Sequence, residues 1–256
     1  MRTLRLVGVG WWMQLKNRSR SAFDGLLSIL YPLFFAATIF LVYQQNGDPS
    51  VLVSAAVGAS LMGIWSAVST TASTTLQGER RQGTLELLVA APTPFSLVIL
   101  PATVSMATIG LWSFVVTLLF GRFAFGIPIS FDQPVVFVIA ALVLAFSLGL
   151  VGFLQAVTSV RYRAAWALGS LFEFPVWLVC GFLVPLSSLP SWVAPIAYAL
   201  PPTWGVSAVR AAAFGGSPWR DIALCLLTGA VYALVGVLIA RRLVDSARGN
   251  ATLALT

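Results

Sequence analysis

The sequence predicts an all-α polytopic membrane protein, with six transmembrane helices in a single domain spanning residues 1–256. Three observations carry that expectation. Mean hydropathy is +0.92 and 9% of the residues are charged, against about 25% in a soluble domain. A helix needs about 20 apolar residues to cross roughly 30 Å of hydrocarbon. Uncharged runs of that order recur at Gly25 to Tyr43, Val51 to Leu76, Phe95 to Phe120, Val135 to Val160 and Ile222 to Ala240, and a sixth, Ala164 to Leu186, is interrupted only by Glu173. When the six runs are threaded alternately, all 15 Lys and Arg except Arg122, Arg210 and Arg220 fall on one side, and the positive-inside rule then puts both termini in the cytoplasm.

The same composition removes several function classes. There is no His, so His-based catalysis and His metal sites are excluded. Cys180 and Cys225 both lie inside expected spans and read as small packing residues. The net charge of +7 sits where membrane insertion would put it, so it does not point to nucleic acid. No G-x-x-x-x-G-K-[ST] loop occurs, and the single lysine, Lys16, follows no such loop. No metal and no cofactor is expected on this chain.

Residues 1–22, "MRTLRLVGVGWWMQLKNRSRSA", read as an amphipathic interfacial helix. Leu4, Val7, Trp11 and Leu15 recur at helical spacing, Arg2, Arg5, Lys16, Arg18 and Arg20 can meet lipid headgroups, and Trp11 with Trp12 forms an interfacial anchor. The connections that follow are short, except for two segments. The first, residues 77–94, contains "GERRQGTLELLVAAPTP" between the second and third runs, on the cytoplasmic side. Gly83 can break the chain there, Thr84 can cap a short helix, and Glu86 falls in its first turn, where the helix dipole favours an acid. Pro92 and Pro94 end it, and Glu79, Gln82 and Glu86 recur at helical spacing. Taken alone, this helix can be a solvated turn resting its apolar side on lipid.

The second exception is residues 187–220, where two apolar stretches of about ten residues, each too short to cross, flank Pro201 and Pro202. Further prolines and Trp192, Trp204 and Trp219 suit a re-entrant helical hairpin at the headgroup boundary on the outer side, with Arg210 in its second half. A seventh span here would carry Arg241, Arg242 and Arg248 outside, which the charge pattern opposes.

The core "GTLELL" followed by Pro92 resembles the cytosolic loop of type-2 ATP-binding-cassette (ABC) export permeases, and "FLVPLSSLPSWVAPIAYALPPTW" followed by Arg210 resembles their broken segment between the last two spans. The likeness covers nearly the whole chain. It is nearer to the antibiotic and daunorubicin exporters than to the polysaccharide exporters, because "RSRSAF" stands where the latter carry a basic-aromatic motif. The resemblance implies a permease subunit in the bacterial plasma membrane, acting in drug efflux or antibiotic resistance. Its coupling helix would dock on a cytosolic ABC ATPase subunit through Glu79, Arg80, Arg81, Gly83, Thr84 and Glu86. It further implies ATP and Mg on that partner, and a dimer with a second copy or a paralogue.

Glu173 is the remaining candidate. An acid inside a span costs about 2.5–3.5 kcal/mol on insertion scales, so it should face protein or water. Two readings stand side by side: a contact in the translocation path, or a hydrogen-bonded acid holding the fifth span against a Ser, a Thr or Gln155. An intramembrane lipid-modifying enzyme is disfavoured, since Glu173 has no second carboxylate, His or Lys beside it. An ATP-independent transporter or channel would leave the charged "GERRQGTLE" segment without a partner.

Overall fold

A computed structural model describes residues 2–19, 30, 33–42, 49–81, 83, 95–128, 130–159, 165–183, 186 and 189–250. All regular structure among them is helical. In chain order the helices are α1 (Arg2–Ser19), α2 (Leu33–Val42), α3 (Pro49–Arg81), α4 (Phe95–Ala124), α5 (Pro134–Ser159), α6 (Ala165–Val179), α7 (Ala194–Ala199), α8 (Pro201–Ala213) and α9 (Trp219–Asn250). Four of them, α3, α4, α5 and α9, hold stretches long and apolar enough to cross a membrane.

α3 and α5 form the centre. Late α3 (Ala72) packs with early α4 (Phe95, Ile99) and late α5 (Phe153, Ala156), while early α3 (Val53, Ala56) packs with Ile127 just beyond α4. Consecutive long helices therefore run in opposite directions. Close approach depends on missing side chains: a Cβ on Gly110 would lie 2.8 Å from the Cα of Ile64, and one on Gly152 would lie 2.5 Å from a methyl of Val68. Small residues at helix crossings are the usual means of packing where lipid offers no hydrophobic drive. α9 lies outermost against α5, presenting Leu227, Val231, Leu234 and Leu238 outward. An apolar surface of that kind suits hydrocarbon, not water.

α6 departs from the span expected over Ala164 to Leu186. Its helix stops at Val179, 15 residues long and about 22 Å at 1.5 Å per residue. The cause is local. Gly181 takes a φ of +82°, the Phe182 N–H turns back to the Trp177 carbonyl at 3.2 Å, and the Gly181 N–H reaches the Leu178 carbonyl, which is how glycine commonly ends a helix. The helix end is then pressed into α3, since a Cβ on Gly58 would overlap the Phe182 carbonyl oxygen. Gly58→Ala should therefore cost about 1–3 kcal/mol as an overpacked contact. The expected result is a lower melting temperature for the detergent-solubilised protein, and an unchanged one would show that α3 and the Phe182 carbonyl are not in close contact.

The hairpin at 194–213 is built around its two prolines. In a continuous helix the amides of residues 201 and 202 would bond the carbonyls of Ala197 and Tyr198, but proline has no N–H. The Thr203 hydroxyl donates to the Ala197 carbonyl at 2.5 Å, and the Trp204 indole N–H donates to the Tyr198 carbonyl at 2.9 Å, replacing both bonds. Leu200 is extended between the two helices, so Pro201 and Pro202 open α8, where their missing donors carry no penalty. The far end of α8 is satisfied from the α4–α5 connection, whose Asp132 and Gln133 amides donate to the Ala213 and Ala212 carbonyls at 3.3 and 3.1 Å. The connection at 125–133 and the hairpin thus share one end of the bundle.

Candidate functional site

α3 links the two regions singled out in the sequence. Its apolar stretch is Val51–Ser69, but the helix continues to Arg81, about 18 Å further at 1.5 Å per residue. Nothing in Thr70 to Arg81 stops it, because the stretch contains neither proline nor a second glycine beside Gly78, and Glu, Arg and Gln are good helix formers. Glu79, Arg80 and Arg81 accordingly occupy its last turn. Gly83 follows with a φ of +71° and is exposed. A left-handed residue interrupts a right-handed helix, so α3 does not continue through Gly83. Gln82, Thr84 and Glu86 lie outside the described residues.

Earlier on α3, within its apolar stretch, Ser66 donates its hydroxyl to Glu173 Oε1 on α6 at 2.5 Å. One turn on, Ser69 accepts the Gln155 amide of α5 at 3.2 Å. α3 is thereby tied through polar side chains to both neighbours. Glu173 is 5% exposed within a single chain, so it needs no second copy to cover it. Among the polar neighbours anticipated for it, a serine is the one found, and Gln155 serves the adjacent link. Trp65 beside Ser66, and Trp177 one turn beyond Glu173, each bury an indole N–H with no hydrogen-bond partner. Such a group costs about 1–3 kcal/mol when left unmet. The region therefore carries more donors than the described residues satisfy.

The remaining candidates lie elsewhere. Trp11 is not a lipid anchor alone: its indole N–H donates to the Thr108 hydroxyl of α4 at 3.0 Å. Val7, Trp11 and Leu15 are half-buried, so the stripe expected to meet lipid packs on α4 instead, while Trp12 and Met13 are exposed. Gly10 makes this possible, because a Cβ there would lie 3.1 Å from Pro101 of α4. Pro201 and Pro202 are buried at the start of α8, and Arg210 Nη2 donates to the Phe182 carbonyl at 2.9 Å, joining the hairpin to the end of α6. Trp204, expected at the headgroup boundary, spends its N–H on the hairpin itself. The sequence reading missed the Arg210 to Phe182 link, because no spacing rule connects a cation to a carbonyl 28 residues away.

A family model described as "ABC-2 type transporter" matches residues 5–214, from α1 to the end of α8. Similar curated proteins are the "Probable multidrug ABC transporter permease YbhS" of Escherichia coli strain K12 and the protein of the same name in E. coli O157:H7. Each is 22% identical over 207 residues, covering 81% of this chain and 52% of the relative. The chain therefore spans about half the length of the curated relatives it matches. With the family model extending over the greater part of the sequence and over helices that are long and apolar enough to cross a membrane, the chain belongs to the ABC-2 type transporter family.

Proposed function

We propose that this chain is the permease subunit of an ATP-driven exporter in the bacterial plasma membrane. It moves a hydrophobic or amphipathic drug, lipid or peptide outward, and separate cytosolic ABC ATPase subunits hold the ATP and Mg. It works as a dimer with a second copy or a paralogue. The observation that carries this reading is the continuity of α3 from the buried Ser66 to the charged turn at Glu79, Arg80 and Arg81. A rigid helix with one end in the bundle and the other at a charged loop is a lever, and a partner that moves the charged end moves the buried end. Family membership and the printed description of the E. coli relatives as multidrug permeases support the same assignment.

Within that mechanism, residues 79–86 receive the closing motion of the ATPase. α3 transmits it to α6 through Ser66 and Glu173, and α6 is joined to the hairpin through Phe182 and Arg210. Alternating access then follows as a shift of α6 and the hairpin against the α4–α5 core. The chain spans the membrane six times, with α2 and α6 as the two shorter crossings and both termini in the cytoplasm.

Single cysteines test this arrangement. Cys180 and Cys225 are buried, so labelling reports the introduced thiols. In intact cells a membrane-impermeant maleimide should label cysteines at Asp48 and Asp132 but not at Gln82 or Ser246. Labelling at position 246 in sealed cells would overturn the six-span topology.

A further inference from the structure

With Trp11 bonded to α4, and Val7 and Leu15 half-buried on the same stripe, α1 still carries a second apolar row on its other side. Leu6, Val9, Trp12 and Met13 fall at helical spacing, and each is about half exposed. Arg5 is exposed beside them. We propose that this free face is the surface on which the chain binds acidic phospholipid, lying along one leaflet with Arg5 at the phosphates and the apolar row among the upper acyl chains. The assignment depends neither on the transported molecule nor on an ATPase.

Depth, continuity and charge support it. α1 meets α4 at Pro101, where Gly10 leaves room, and at Thr108. α4 is 30 residues long, about 45 Å, which exceeds the roughly 30 Å of hydrocarbon. With the excess shared between its two ends, Pro101 stands at about the hydrocarbon edge and Thr108 roughly 12 Å inside it. Trp112, Val115 and Leu119 follow Thr108 at helical spacing and are exposed, so α1 covers the first half of an α4 face whose second half is open and apolar. Acyl chains reach a surface at that depth, whereas a soluble partner does not. The middle of α1, Leu6 to Leu15, carries no charge and at about 15 Å is too short to cross. Arg2, Arg5, Lys16 and Arg18 flank it, and no acid falls anywhere in the helix. A short apolar helix with basic ends lies along a leaflet, and its cations favour anionic headgroups over zwitterionic ones. Pairing this face with a second copy of itself would bring like charges together.

The test uses the whole chain in nanodiscs, with quenching by brominated lipids read through Trp12 as the difference between wild type and Trp12→Phe. Dibrominated phosphatidylglycerol should reach half-quenching at a mole fraction at least about fivefold lower than dibrominated phosphatidylcholine, the preference that a single basic residue gives at an acidic membrane surface. Arg5→Gln should lower that ratio by about fivefold, and Arg5→Lys should leave it unchanged. Arg5 is exposed, so neither change disturbs the packing of α1 on α4. Equal half-quenching by the two lipids in wild type, or a ratio unchanged in Arg5→Gln, would overturn the proposal. A Trp12 signal that neither lipid quenches would overturn it as well, by showing that protein covers this face, a second copy of the chain included.

Discussion

On the proposed coupling, reversing Glu86 to Arg, or Glu79 to Arg, should leave the chain in the membrane at wild-type levels and release the proposed ATPase partner. Removing one side of a charged contact at a partly buried interface costs about 2–5 kcal/mol, so docking weakens by at least roughly thirtyfold. Insertion is unaffected, since neither residue belongs to the apolar stretch Val51–Ser69. Substrate-stimulated ATP hydrolysis and export should both fall towards background, and the ATPase should dissociate more readily in detergent. Gly83→Val should act in the same direction by a different route. At a φ of +71° a β-branched side chain is strained, so the chain leaving α3 must take another course. The control is Asp245→Arg near the end of α9, which should retain the ATPase and transport normally. Full retention and full export in both Glu variants would leave those charges with nothing beyond solvation to do.

The second large effect is expected at Glu173. Glu173→Gln keeps an oxygen that accepts the Ser66 hydroxyl, so expression and assembly should match wild type. Glu173→Leu removes the acceptor, and Ser66 must then turn to its own helix, as Ser60 and Ser105 already do by donating to the carbonyls of Val57 and Ala102. The folding cost of losing one interhelical hydrogen bond in a membrane averages about 0.6 kcal/mol, so Glu173→Leu should still assemble. Its export should nonetheless fall by about tenfold, within the loss expected when a coupling of about 1–3 kcal/mol is removed, as α6 is no longer tied to α3. The double variant Ser66→Ala, Glu173→Leu should be no worse than Glu173→Leu alone, because both changes remove one link. Additive losses would separate Glu173 from Ser66. Normal export by Glu173→Leu would deny the residue a role in transmission altogether.

What the sequence discloses here depends on which force decides each feature. The apolar stretches of α3, α4, α5 and α9 were visible because hydrocarbon excludes charge over a fixed length, and run length reads that directly. Helix ends obey different rules. α3 passes the end of its uncharged run at Leu76 because Gln, Glu and Arg extend a helix as well as Leu does, and it stops only before Gly83. α6 ends seven residues before its apolar run does, since Gly181 adopts the left-handed conformation while Gly149 and Gly152, with the same side chain, stay helical. Only tertiary contact with Gly58 and Arg210 distinguishes them. Of the stripe Leu4, Val7, Trp11 and Leu15 expected on α1, the last three are half-buried and Trp11 bonds α4, because an amphipathic pattern records that a face is covered and not by what. Around Glu173 the chemistry was legible and the pairing was not. A buried acid demands a donor, but choosing among the serines, the threonines and Gln155 requires knowing which face of α6 meets α3. The hairpin falls between these cases: Pro201 and Pro202 declare which two carbonyls lose their donors, and Thr203 and Trp204 are the polar groups that follow.

The most direct test of the permease assignment is ATP hydrolysis that travels with the tagged chain. Membranes are solubilised in mild detergent, the chain is isolated by affinity and then by size exclusion, and hydrolysis is assayed across the eluted fractions. The assignment predicts a hydrolytic activity that co-elutes with the chain as one assembly, although the chain itself lacks a phosphate-binding loop, and that leaves the peak in Glu86→Arg. A chain that elutes as an intact dimer without hydrolysis, and whose substrate efflux from cells continues after ATP is depleted, would contradict it and assign the protein to ATP-independent transport.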